Sequence, residues 1–75
     1  MSNIVEGGIF IIIKTWNARN NSNITLEELS RLTGISVTTL NRIENGVVDP
    51  RIGQLEKIAK ALNVKISDLY ESPYK

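Results

Sequence analysis

Four residues near the middle of the chain, Val37, Thr38, Asn41 and Arg42, carry side chains suited to reading a surface rather than reacting with it. Arg42 offers a planar fork of donors that can pair bidentately with two acceptors or with a phosphate. Asn41 carries a donor and an acceptor on one short arm. Thr38 adds a hydroxyl and a methyl, and Val37 adds methyl groups alone. None of these is a general base or an activated nucleophile. The rest of the chain supplies little to change that. Histidine and cysteine are absent, which removes the commonest general base, the commonest transition-metal ligand, any thiolate site and any disulfide. No carboxylate pair and no Gly-rich phosphate loop stands out. The expectation is a binding protein with no catalytic residues, no cofactor and no metal.

The elements that must position these four residues lie in the stretch Thr25 to Gly46. Thr25 is a good helix N-cap, and Glu28 three residues on completes a capping box. Leu29 and Leu32 fall three apart on one face, and Gly34 can take the left-handed conformation that ends a helix. Ile35 re-enters the core. Ser36 caps a second helix whose Leu40 and Ile43 point inward, leaving Val37, Thr38, Asn41 and Arg42 on the outer face. Asn45-Gly46 stops it. Two short helices, a tight Gly-containing turn and a polar outer face on the second helix make a helix-turn-helix. The second helix of such a motif, here about residues 36–45, lies in the major groove of DNA.

On these residues the chain resembles the lambda-repressor-like, Xre-type (phage Cro-repressor type) helix-turn-helix DNA-binding domains. The motifs are Thr25-x-Glu27-Glu28-Leu29, Thr33-Gly34-Ile35-Ser36, Leu40-x-Arg42-Ile43-Glu44-Asn45-Gly46, Pro50 and Leu55-x-x-Ile58-Ala59-x-Ala61-Leu62-Asn63-Val64, and they run from about Ile24 to Glu71. The resemblance implies an all-α fold, a compact bundle of five short helices with the helix-turn-helix in helices 2 and 3. It also implies binding to operator DNA, usually as a homodimer. It places Val37 and Thr38 in the principal base-reading positions, where their methyls suit the thymine methyl, with Asn41 and Arg42 beside them. Thr25, Ser36, Thr39, Asn45 and Arg51 are candidates for phosphate contact. The family carries an arginine at the end of helix 1 that pairs with the residue corresponding to Glu44. Counting back from Thr25 puts Arg19 there, whereas giving Ile13 and Trp16 the family's apolar pair puts Asn17 there. Two departures thin the phosphate clamp: Leu26 stands where the family has Gln, and Val47-Val48-Asp49 follows the Asn-Gly turn where Lys or Arg is usual.

Seventy-five residues make one domain, read here as 1–75, with an arm over 1–8 and a tail over 72–75. A net charge of +1 does not by itself argue for nucleic acid, so that reading rests on the motif. The run Ile9 to Ile13 is too short to span a bilayer, so a membrane is not expected and a cytoplasmic location is. By propensity that run suggests a strand. By spacing, Ile9, Ile12, Ile13 and Trp16 fit a helix, and in context helix 1 is expected from about Gly8 to Arg19. Phe10 and Ile11 then fall off the core face and suggest a self-association surface. Asn20 to Asn23 reads as a loop, as does Val47 to Pro50. Asp49 and Pro50 suit the cap and first turn of helix 4, expected from about Arg51 or Ile52 to Leu62. Ser67 is expected to cap a last turn, Asp68 to Tyr70. The expected partners are a double-stranded DNA operator and a second copy of the chain, and no small-molecule ligand is expected because no sensing domain is present. The competing reading is a protein-interaction module, antitoxin-like, on the same fold.

Overall fold

The computed structural model describes residues 12–73. The arm, Phe10, Ile11 and the end of the tail lie outside them. In order, the elements are strand β1 (Ile12–Ile13), helices α1 (Thr15–Asn21), α2 (Leu26–Thr33), α3 (Val37–Glu44) and α4 (Ile52–Leu62), a 3-10 turn (Ile66–Leu69) and strand β2 (Tyr70–Glu71). Among the described residues there are therefore four α-helices, not five, and a two-stranded sheet that the all-α expectation lacked.

The sheet settles the last two residues of the ambiguous isoleucine run. Helix 1 does not include Ile12 and Ile13. They pair antiparallel with β2, Ile12 opposite Glu71 and Ile13 opposite Tyr70. The Lys14 amide donates to the Leu69 carbonyl at 2.8 Å, continuing the ladder. β-Branched residues fit a pleated strand once a partner strand exists. Because α1 begins only at Thr15, its phase differs from the expected one. Thr15 is buried and Ala18 packs against the core, while Trp16 is exposed. The helix also runs on to Asn21, so the expected loop is shortened to Ser22 and Asn23, with Asn23 in the left-handed region at φ 58°.

The core gathers Leu29, Ile35, Leu40, Leu55, Ile58, Ala59, Leu62 and Leu69, with Leu26, Ile24 and Ile66 packed against it. Leu32 is not part of it and is exposed. The inner face of α2 is instead Leu26, Leu29 and Thr33, at spacings of three and four. Thr33 can be buried because its hydroxyl donates to the Leu29 carbonyl at 2.8 Å and accepts the Ile35 amide at 3.1 Å. Helix α4 starts after Arg51, whose amide donates to Gln54 Oε1 at 3.0 Å, so Asp49 and Pro50 lie before the cap rather than forming it. At its end Asn63 takes the left-handed conformation. The 3-10 turn is capped by Asp68, which accepts the Lys65 amide at 3.1 Å, and not by Ser67.

Candidate nucleic-acid interface

The interface is built on α3, and four restraints fix that helix. Its N-cap is Ser36, whose Oγ accepts the Thr39 amide at 3.1 Å and donates to Thr39 Oγ1 at 2.9 Å. The turn before it is made by Gly34 at φ 77°, a backbone conformation that glycine adopts without steric cost. Leu40 and Ile43 are fully buried and set the helix rotation.

The fourth restraint is electrostatic. Arg19 Nε donates to Glu44 Oε2 at 2.6 Å and Nη2 to Glu44 Oε1 at 3.2 Å, while Nη1 donates to the Ile24 carbonyl at 2.8 Å. Of Arg19 and Asn17, it is Arg19 that meets Glu44; Asn17 is exposed. The two charged side chains are only 13% and 4% exposed. The hydrogen bond to Glu44 raises the Arg19 pKa above its ordinary value, and the desolvation of the guanidinium opposes that rise. One side chain thus ties α1, the residue before the α2 cap, and the last residue of α3. The Ile24 carbonyl was not foreseeable from residue types, because a backbone acceptor has no side-chain signature.

With these faces occupied, Thr38, Asn41, Arg42 and Asn45 remain exposed. They stand at i, i+3, i+4 and i+7 and so form one stripe. Val37 is half-buried at its edge, as is Thr39. Among the described residues Arg42 makes no ion pair. Asn45 Nδ2 donates to Asn41 Oδ1 at 3.1 Å, a pairing that the i, i+4 spacing of two asparagines could have signalled.

Two flanking features qualify the phosphate candidates. Thr25 caps α2 by accepting the Glu28 amide at 3.1 Å, and Arg51 is exposed at the start of α4. The amides after α3 turn inward: those of Asn45, Gly46 and Val47 donate to the carbonyls of Asn41, Ile43 and Arg42. They are spent closing the helix. Arg31, another cation near the motif, is engaged bidentately by Glu28, and that hydrogen bonding raises its pKa. Among the described residues no cluster of three carboxylates could hold a metal ion, and no helix is long and apolar enough to cross a membrane.

The helix-turn-helix family pattern matches residues 17–69. Over 48 residues the chain is 42% identical to an uncharacterised helix-turn-helix-type transcriptional regulator of Methanocaldococcus jannaschii, covering 64% of this chain and 73% of that protein. The fold matches the crystal structure of a candidate DNA-binding protein from Bacteroides fragilis with a TM-score of 0.78, over 83% of this chain and 100% of that one. At 22% identity that likeness is one of fold. With the motif, its caps and its turn all in place, the chain belongs to the helix-turn-helix family of lambda-repressor-like, Xre-type DNA-binding domains.

Proposed function

We propose that the chain is a sequence-specific regulator of transcription that lays α3 in the major groove of double-stranded DNA. It acts in the cytoplasm as a homodimer on a palindromic or repeated operator, without a small-molecule effector and without catalysis. The observation that carries this reading is the stripe of Thr38, Asn41, Arg42 and Asn45, polar and exposed on a helix whose other faces are locked by Leu40, Ile43 and Glu44. Arg42 reads guanine or holds phosphate, and Val37 and Thr38 meet thymine methyls. Thr25, Ser36, Thr39 and Arg51 belong to the backbone-contact set, which fixes register rather than sequence. The N-termini of α2 and α3 add free amides and a positive dipole end. One such stripe spans few base pairs, so a second subunit about one helical turn away supplies the missing affinity.

The test is selection from a random duplex pool at moderate salt. An enriched inverted repeat supports the regulator, and its half-site spacing reports the dimer. No enrichment, together with Arg42→Ala behaving as wild type, overturns it. A second reading, an antitoxin-like protein-interaction module, draws on Val47 and Ile52, 68% and 69% exposed. Ile52 lines a groove of about 260 Å³ together with Ile13, Asp49, Pro50, Leu55 and Tyr70. Salt separates the two: binding by counterion release weakens as salt rises, and apolar docking does not.

A further inference from the structure

We infer that Asn41 selects guanine over adenine at one base pair of each half-site, and that Asn45 is the positioning residue that sets this choice. The inference rests on the regulator reading above and names what one part of that surface reads.

The observation is the polarity of the amide pair. Asn45 Nδ2 is the donor and Asn41 Oδ1 the acceptor, at 3.1 Å, one turn apart on the exposed stripe. An asparagine amide presents its oxygen and its nitrogen in different directions. With Oδ1 turned toward Asn45, the Asn41 Nδ2 group is the part left to face outward, and it carries two donor hydrogens. Guanine shows two acceptors, N7 and O6, on its major-groove edge, whereas adenine shows an acceptor and a donor. The usual bidentate pairing of asparagine with adenine needs Oδ1 to accept from N6. Here that oxygen is turned toward Asn45 and accepts the Nδ2–H hydrogen bond from it. Guanine, which asks only for donors, suits the amide as it is held.

The backbone can hold this arrangement. Leu40 and Ile43 bury the opposite side of α3, so positions 41 and 45 keep their spacing. Asn45 sits at φ −90°, which any L residue adopts, and the left-handed step falls on Gly46. Substitution at position 45 therefore brings no backbone strain.

The experiment is duplex selection with wild type, Asn41→Ala, Asn45→Ala, Asn45→Asp and the double variant Asn41→Ala/Asn45→Asp, each checked for folding by circular dichroism. Wild type is expected to favour guanine over adenine by roughly fivefold or more at one position, the lower end of what a single good pair discriminates. Asn41→Ala abolishes that preference, and Asn45→Ala flattens it by freeing the amide. Asn45→Asp reverses it, because a carboxylate can only accept; the Asn41 amide must turn over to donate and then presents Oδ1 to the adenine N6. The added charge also weakens binding, but equally on every sequence. In the Asn41→Ala background the Asp at position 45 leaves the base pattern unchanged. Position-45 variants that alter overall affinity and not the base pattern overturn the inference while leaving the regulator standing, as does a wild-type preference for adenine at that position. A wild type that enriches no duplex overturns both.

Discussion

Replacing Arg19 with methionine removes the guanidinium while keeping most of the side-chain bulk. Glu44 is then left 4% exposed with no cation, and the Ile24 carbonyl loses its donor. Each hydrogen bond to a charged group is worth about 1.5–3 kcal/mol, and breaking a buried ion pair from one side costs about 3–5 kcal/mol in all. The pair is well enclosed, so that range applies with little discount for solvent. A chain of 75 residues has about 4–11 kcal/mol of stability at ordinary per-residue values. Arg19→Met should therefore remove a large part of the total, about 3 kcal/mol or more. The double variant Arg19→Met/Glu44→Met should recover most of the loss, because no uncompensated charge remains. Urea unfolding followed by far-ultraviolet circular dichroism measures both, and a double-mutant cycle isolates the coupling. If the single variant costs less than about 1 kcal/mol, the size of an exposed pair, the pair does not restrain α3. If the double variant is no better than the single, charge compensation is not what the two residues provide. The pH behaviour has a definite sign. The folded-state pKa of Arg19 is raised above its ordinary value, so its contribution is fully present below that ordinary value and is lost only above it. Titration of Arg19 should therefore leave stability flat across the neutral range.

Leu40→Ala and Ile43→Ala each empty a fully buried site and should cost about 2–5 kcal/mol in the same unfolding assay; a surface-sized loss would mean α3 is rotated. Gly34→Ala should cost about 1–2 kcal/mol through its φ of 77° alone, since an added Cβ meets nothing within 4 Å. A neutral result in thermal melting would show that the turn relaxes. Arg42→Ala should lower operator affinity by about 1–3 kcal/mol and relax one base position, measured by titration on matched and mismatched duplexes. A uniform loss on all sequences would assign it to phosphate, and no loss would remove it from the interface.

The helix-turn-helix was legible because its signals are local. Thr25, Ser36 and Gly34 each act within four residues, and the structure uses them as two caps and a turn. The Glu28 carboxylate goes to Arg31 and not back to the Thr25 amide, so the expected capping box is only half made. The first helix was not, because its start depends on a distant partner. Five β-favouring residues also fit a helical spacing, and only β2, at the other end of the chain, decides for a strand at Ile12–Ile13. That shift of start puts Trp16 outside and Thr15 inside. Leu32 misled for a related reason. Hydrophobicity favoured it over Thr33, but a threonine whose hydroxyl is satisfied on both sides can take the buried position at the turn. At the candidate interface the side chains were readable and their hydrogen bonds were not. The inward-turned amides after Asn45 and the Asn41–Asn45 pairing depend on where the helix closes.

These hydrogen bonds and ion pairs bear on how such a surface would discriminate. Arg19 is committed to Glu44 and Arg31 to Glu28, and Lys14 Nζ lies 3.6 Å from Glu71. The amides after α3 close the helix, and Asp49 follows them where a cation would hold phosphate. Among the described residues Arg42, Arg51, Lys57, Lys60 and Lys65 are exposed and make no ion pair, and each phosphate contact forgone lowers affinity for operator and for unrelated DNA by the same counterion-release factor. Base contacts by the α3 stripe act on operator alone. On the regulator reading, weak backbone contact therefore lowers total affinity and leaves the ratio of specific to nonspecific binding to the stripe. That ratio decides occupancy when unrelated sites outnumber operators. The affinity lost this way is recoverable only by doubling the stripe, which is why the homodimer belongs to the same reading as the sparse clamp.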